Sequence, residues 1–447
     1  MSAVQQLKHE GLPDGLARCW PDIAHDSAWL KELRTRAVDR VAKLHFPTAR
    51  DEEWRFTDLG ALRELNFEPA AAQKLHAPFA DFERLIFPEA AATRLVFVNG
   101  HYAPEFSDTH EVPQGVTLTH LSGQGAVQDV LAARHLAQHA DMHNEVFTAL
   151  NTRLFSDVAL LFIAPDVVCE QPLHLLFIST AQQTPLLSSP RCLIIGGRDS
   201  ACTLVEEYVS LGEGVTFTNA VSEIVVEEGA RMQHVRVQDE GHAAFHIASS
   251  TVTLARDARY QAINVTLGAR LSRHTLGVVH HGPGTECAVD GLALISGRQL
   301  ADTHSVIDHA APHGKSTQLN KCIVDESAHA VFNGKIVVRR DAQLNDARQQ
   351  SRNLLLSARA RVNAKPELLI QADDVKCAHG ATVGQLDEEQ IFYLKCRGLS
   401  DAAARNLLTY AFAAEVVEKI PLVSLKTRLR AVILDRVVHA HASAEAA

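Results

Sequence analysis

The chain has 447 residues, 46% hydrophobic and 21% charged, an ordinary globular mix with room for several domains or one long solenoid. A formal net charge of −10 excludes a general nucleic-acid binder, which would carry a basic face. No basic leader precedes a long apolar run, and runs such as 158–165 are far too short to span a bilayer, so a cytoplasmic protein without membrane contact is expected.

Residues 1–150 read as a mixed, mainly helical N-terminal domain. Trp29, Leu30, Leu33, Ala37 and Val38 recur at helical spacing, and a second helix is expected about 127–139. Leu95 to Val98, followed by Asn99 and Gly100, is a strand entering a turn. From 151 to 375 the character changes. Short runs rich in Val, Ile, Leu and Thr alternate with Gly, Asp, Ser and Asn, and no helix-length segment interrupts them, so a helix-covered parallel sheet is not expected. Small residues punctuate the runs at Ala230 and Ala258, 28 apart, and at Ala328 and Ala342, half that step. Such intervals mark a solenoid whose small residues turn corners; a β-sandwich is the other fold compatible with the composition.

The remainder, 376–447, reads as a C-terminal helical domain beyond 385. Asp387 can cap a helix with Gln390 at the reciprocal third position, and Leu386 and Ile391 sit where a hydrophobic staple would. Gly398 fits the left-handed residue that ends it, and Ser400 can cap the next. That second helix carries a stripe of Leu407, Leu408, Ala411, Phe412 and Val416, broad enough for a partner to dock, and Pro421 stops it. A last helix, about 424–440, places Leu425, Leu429, Val432, Ile433 and Val437 on one side.

Eight cysteines are scattered, without a Cys-x-x-Cys pair or a ferredoxin-type run, so the chain owns no complete cluster site. The glycine-rich loop of ATP-binding proteins is absent, as are Gly-x-Ser-x-Gly and His-Glu-x-x-His, so neither ATP binding nor these catalytic classes is expected. The pairs Glu206-Glu207 and Glu227-Glu228 read as solvated edges without a role. Two constellations carry chemistry. Cys377 and His379 lie two positions apart, hence on one face of an extended segment, where a sulfur and a ring nitrogen could approach one soft metal. Two ligands do not close a tetrahedral site, so a partner would supply the rest. The second is Asp302, His304, Asp308, His309 and His313. Residues 304 and 309 differ by an odd number and point to opposite faces of a strand, so a metal site needs a turn between them, which Pro312 and Gly314 suggest.

The stretch 372–399, with Cys377, His379, Gly380 and Ala381, resembles the signature of the SufD subunits of the SufB/SufD family of iron–sulfur cluster assembly proteins. His379-Gly380-Ala381 is closer to SufD than to SufB, which typically reads His-Glu-Ala there. Further matching elements run from Asp302 to His313, from Ser316 to Lys321, from Val331 to Ile336, at Asp346 to Gln349 and at Asn353 to Ser357; Asp51 to Leu59, around Trp54, resembles the family's element ahead of the core. The resemblance implies a mainly β fold, a right-handed parallel β-helix flanked by helical pieces. It implies a non-catalytic scaffold that pairs with a SufB-like paralogue, or with itself when isolated. A SufC-like ABC ATPase would dock on the C-terminal stripe. A nascent, transient iron–sulfur cluster would share ligands from SufB with His379 and Cys377. A flavin is compatible with the resemblance but has no signature in this sequence. Two other readings stand beside it: a β-helix polysaccharide-active enzyme, and a metalloprotein built on His304, His309 and His313.

Overall fold

The computed structural model describes residues 26–70, 82–123 and 126–445, with Pro13, Leu16 and Cys19; for 126–129 and 437–445 it describes the backbone alone. Val437 thus falls outside the described side chains. Sixteen strands form the core. The first eight are β1 (Ala159–Ile163), β2 (Leu173–Thr180), β3 (Arg191–Gly196), β4 (Ala201–Leu211), β5 (Thr216–Val226), β6 (Arg231–Asp239), β7 (Phe245–Leu254) and β8 (Arg259–Thr266). The rest are β9 (Leu271–His280), β10 (Glu286–Ile295), β11 (Leu300–His309), β12 (Lys315–Val324), β13 (His329–Val338), β14 (Asp346–Leu355), β15 (Arg361–Ile370) and β16 (Lys376–Gly384). All odd strands pair in parallel into one sheet and all even strands into the other, so each turn contributes one strand to each sheet, as in a parallel β-helix. No βαβ crossover interrupts the stack. The last strand carries the solenoid to Gly384, past the 375 boundary read from the sequence.

Corners explain the small-residue punctuation. Ala230 and Ala258, both fully buried, precede even strands one turn apart, and Ala328 lies at the opposite corner, ahead of an odd strand. One corner also stacks left-handed residues: Asp166, Asp199, Gly229, Asp257, Gly284, His313 and Leu344 all have φ between 50° and 73°. Each backbone N–H in this column donates to a carbonyl one turn further on, Asp257 to Pro283 and His313 to Gln343 among them. Gly, Asp and His tolerate that conformation far better than a β-branched residue would.

Between the sheets lies a lumen packed with Ile224, Val252 and Val278 from one side and Leu204, Ala262 and Val289 from the other. Both outer faces are also covered, which is why these strands are apolar on both sides rather than alternating. The N-terminal region, including α1 (Ala28–Val41), α2 (Ala126–His135) and α3 (Val146–Leu154), covers the odd sheet, with Leu150, Trp54 and Leu62 against Phe217, Phe245 and Ile247. Its strand Arg94–Val98 joins β2 in parallel. It then turns through Asn99 and Gly100, both at positive φ, into the antiparallel His101–Tyr102, as that sequence predicts. The C-terminal helices α4 (Glu388–Cys396), α5 (Asp401–Val417) and α6 (Val423–Glu445) follow the strands. Val416, Leu425, Leu429 and Ile433 from α5 and α6 pack on Val235, Ile263 and Leu292 of the even sheet.

Local signals in the helices are met with one difference. Asp387 accepts from the Glu389 N–H and Ser400 from the Ala403 N–H, and Gly398 has φ 96°. Among the described residues Gln390 makes no reciprocal bond. Among the described residues no helix is long and apolar enough to cross a membrane.

Candidate functional site

The two sheets end on the same turn: β15 closes the odd sheet, β16 the even one, and both present free edges. At the opposite end of the stack Val116–His120 runs antiparallel to β1. Cys377 and His379 lie on β16, directly above Ala347 and Gln349 of β14. Ala347 and Gln349 point into the lumen, whereas Arg348 between them is exposed. By strand alternation Cys377 and His379 therefore share the lumen face, with α-carbons about 6.6 Å apart from a rise of about 3.3 Å per residue. Because no further turn covers them, the thiol is only half-buried and the imidazole exposed. With Asp346, Arg348, Gln349, Gln350 and Lys376 they line an open hollow of about 590 Å³ along the last two strands of the even sheet.

Burial, and secondarily the nearby Asp346 carboxylate, push the Cys377 thiol above its ordinary value. It is a protonated thiol at neutral pH, and a metal or an added positive charge is needed to make it a thiolate ligand. Among the described residues no three or more of His, Cys, Asp and Glu are grouped to hold a metal ion. The open end thus offers two soft donors and room for others.

The constellation at 302–313 is dispersed. Asp302 and His304 face outward from β11 and meet the N-terminal segment. Thr57 Oγ1 donates to Asp302 at 2.5 Å, Arg273 pairs with the same carboxylate, and His304 Nε2 lies 3.0 Å from it. His304 Nδ1 is 3.3 Å from Glu53, and the Arg273 guanidinium stacks 3.9 Å over Trp54. Burial raises the Asp302 carboxyl, but Arg273, His304 and Thr57 outweigh it and hold it at about 2; burial likewise disfavours His304 cation, and Asp302 and Glu53 outweigh it, so its pKa is raised. His309 points the other way, into the lumen side, stacked on His280 with ring centroids 4.2 Å apart and bonded to Ser316. His313 occupies the left-handed corner. The odd separation of 304 and 309 decides this, and the turn at Pro312 brings neither back to the other. The metalloprotein reading of His304, His309 and His313 is thereby corrected: this region is a clasp for the Trp54 element.

The C-terminal stripe divides. Val416 is fully buried against the protein's own even sheet; Leu408 and Phe412 are half-buried, and the Lys321 ammonium sits 4.3 Å over the Phe412 ring. Leu407 and Ala411 face outward, as do Phe392 and Tyr393 on α4.

Glu206 and Glu207 correct a further expectation: neither is solvated. Glu206 faces the lumen, accepting from Tyr208 at 2.7 Å and Ser222 at 3.0 Å beside His234 and Arg236. Burial opposes its charge, yet these partners hold its pKa at about 2. Glu207 faces the C-terminal helices and pairs with Arg428 and with His174 at 3.2 Å. The sequence signal lay in the flanks, Leu204-Val205 before and Tyr208-Val209 after, which mark a strand buried on both faces. Glu227 and Glu228 are exposed, as read.

Fold and site together define a parallel β-solenoid protein that carries a thiol and an imidazole side by side on its last strand. The chain belongs to the SufBD family. The family model for the SUF system FeS cluster assembly SufBD core domain matches residues 177–412, and that for the SufBD protein N-terminal region matches 23–175. An iron-sulfur cluster assembly SufBD family protein of Synechocystis is 40% identical over 443 residues, covering 97% of this chain and 95% of its own. Iron-sulfur cluster assembly protein SufD of Escherichia coli K12 is 31% identical over 401 residues, 89% and 91% of the two chains. Protein ABCI7, chloroplastic, of Arabidopsis thaliana is 32% identical over 403 residues, 88% and 83%. The polysaccharide-active reading gives way to this membership.

Proposed function

We propose that this chain is a non-catalytic, cytoplasmic scaffold subunit that pairs end-on with a SufB-like solenoid and helps build a nascent iron–sulfur cluster at the junction. The observation that carries the reading is the coincidence, on one turn, of two free sheet edges and a Cys–His pair on the last strand, beside an open hollow. Free parallel edges invite a like fold, and a partner arriving there would bring the ligands that Cys377 and His379 lack. The relatives named for cluster assembly support the same role. The outward side of the C-terminal helices, with Leu407 and Ala411, would receive a SufC-like ATPase, which supplies the ATP site this sequence lacks. The cluster is cargo, held in transit by ligands from both scaffolds.

The test is His379→Ala in the co-expressed complex. The imidazole is exposed, so folding and complex formation should survive, with a stability change of roughly 1 kcal/mol or less. The visible absorption of the purified complex should fall to near background, and less so for Cys377→Ser. Equal cluster content in wild type and His379→Ala would refute the assignment.

A further inference from the structure

We propose that Gln349 is a positioning residue for His379: its amide oxygen takes one ring N–H and leaves the other ring nitrogen's lone pair free toward the hollow. This rests on the role proposed above for His379.

Gln349 lies directly beneath His379 in the ladder and is 1% exposed. Its Nε2 donates to Gln318 Oε1 at 2.8 Å, one turn further in, and Gln318 Nε2 donates to Ser305 Oγ at 2.8 Å. This run of amides fixes the polarity of the column. The Gln349 nitrogen faces inward along the lumen, so its oxygen is left for a donor. That oxygen is buried and accepts no hydrogen bond among the described residues. A buried amide oxygen without a donor is costly, and native structures rarely leave one so. The next residue up the column is His379, which lines the same hollow.

A neutral imidazole carries one N–H and one lone pair, and the bond made by one ring nitrogen decides which other nitrogen can ligate. One amide N–H is spent on Gln318 and the carbonyl end can only accept, so the ring nitrogen that meets this oxygen must carry the N–H, which selects one tautomer. An independent observation concerns space. A Cβ on Gly334, across the lumen in β13, would lie 2.8 Å from Gln349 Cδ and closer still to Nε2, and 2.5 Å from the Phe332 ring. Glycine at 334 is what admits the Gln349 side chain to the lumen.

The experiment uses the full chain labelled with ¹⁵N-histidine at pH 8, where ring nitrogen shifts report the tautomer. The His379 signals are identified by their loss in His379→Ala. Wild type should show one dominant tautomer. Gln349→Leu should lower its ratio several-fold, and Gly334→Ala, which displaces the amide without removing it, should do the same. Gln349→Glu keeps an acceptor and should preserve the wild-type ratio. If Gln349→Leu melts because Gln318 loses its donor, the other two variants carry the test. In the co-expressed complex, Gln349→Leu should lower cluster content on the order of tenfold, as for other residues that orient a metal ligand. An unchanged tautomer ratio in folded Gln349→Leu, or a ratio shifted in Gln349→Glu as far as in Gln349→Leu, overturns the proposal, even if His379→Ala empties the complex. A shifted ratio with cluster content indifferent to His379→Ala instead sustains the positioning role and removes the assembly role.

Discussion

At the residue scale, two titrations set a working window for the clasp between the Trp54 element and the odd sheet. Groups facing His304 include Asp302 and Arg273 on the sheet, Glu53 and Glu145 from the N-terminal region, and the Asn333 amide, which reaches the same Glu53 carboxylate that Lys335 acts on. His304 has a folded pKa raised above 6.5, so its contribution is fully present below 6.5 and is lost as the pH rises through the raised value. Asp302 has a folded pKa of about 2 against 3.8, so its contribution is present above 3.8 and lost only as the pH falls toward about 2. Mildly alkaline pH should therefore loosen the clasp while mild acid leaves it closed. Amide-exchange protection at Trp54 and Thr57 should fall in wild type as the pH rises through the raised His304 value. In His304→Gln it should be lower throughout and flat over that range. The alternation rule made 304 and 309 legible as opposite in direction. What they each meet was not, because Glu53 and Arg273 lie 251 and 31 residues from position 304 and nothing local couples them.

At the element scale, α5 shows how far a stripe can be read. Its cap at Ser400 and the end of α4 at Gly398 are settled within a few residues and were legible. Periodicity is identical whether a stripe meets a partner or the protein's own sheet, so Val416 and Leu407 could not be separated by it. The fold separates them: Val416→Asp puts a charge in the interface with the even sheet and should cost more than about 3 kcal/mol, seen as a lower urea midpoint. Leu407→Asp, on the outward side, should leave that midpoint unchanged and abolish co-purification of the ATPase subunit. Retention of the ATPase by a folded Leu407→Asp chain would place the docking surface elsewhere. The same logic explains the blurred edge at 375. β16 lacks apolar alternation because its lumen side, Cys377, His379, Ala381 and Val383, has no turn above it to exclude water.

At the scale of the whole molecule, the lumen and, at His174, the interface between the even sheet and the C-terminal helices hold imidazoles kept neutral by burial. His174, His246, His274, His280 and His309 all have lowered pKa values, His309 at about 4. For groups depressed on folding, stability is present above the unfolded value of 6.5 and is lost as the pH falls below it, because the unfolded chain takes up the protons. His309 alone, from 6.5 to about 4, would withdraw roughly 3 kcal/mol by pH 4. The thermal midpoint should drop steeply between pH 7 and 5, and His309→Asn should lessen the slope. The repeat itself was legible from alanine spacing, whereas this acid sensitivity was not, since inward and outward histidines look alike in sequence. The stack also has unequal ends. Full-length edges of ten and nine residues close one end, and a two-residue and a five-residue antiparallel strand the other. A body with long free edges at one end and short antiparallel strands at the other offers strand pairing once. End-on pairing as proposed above would therefore stop at two solenoids, and the same geometry would forbid an open fibre.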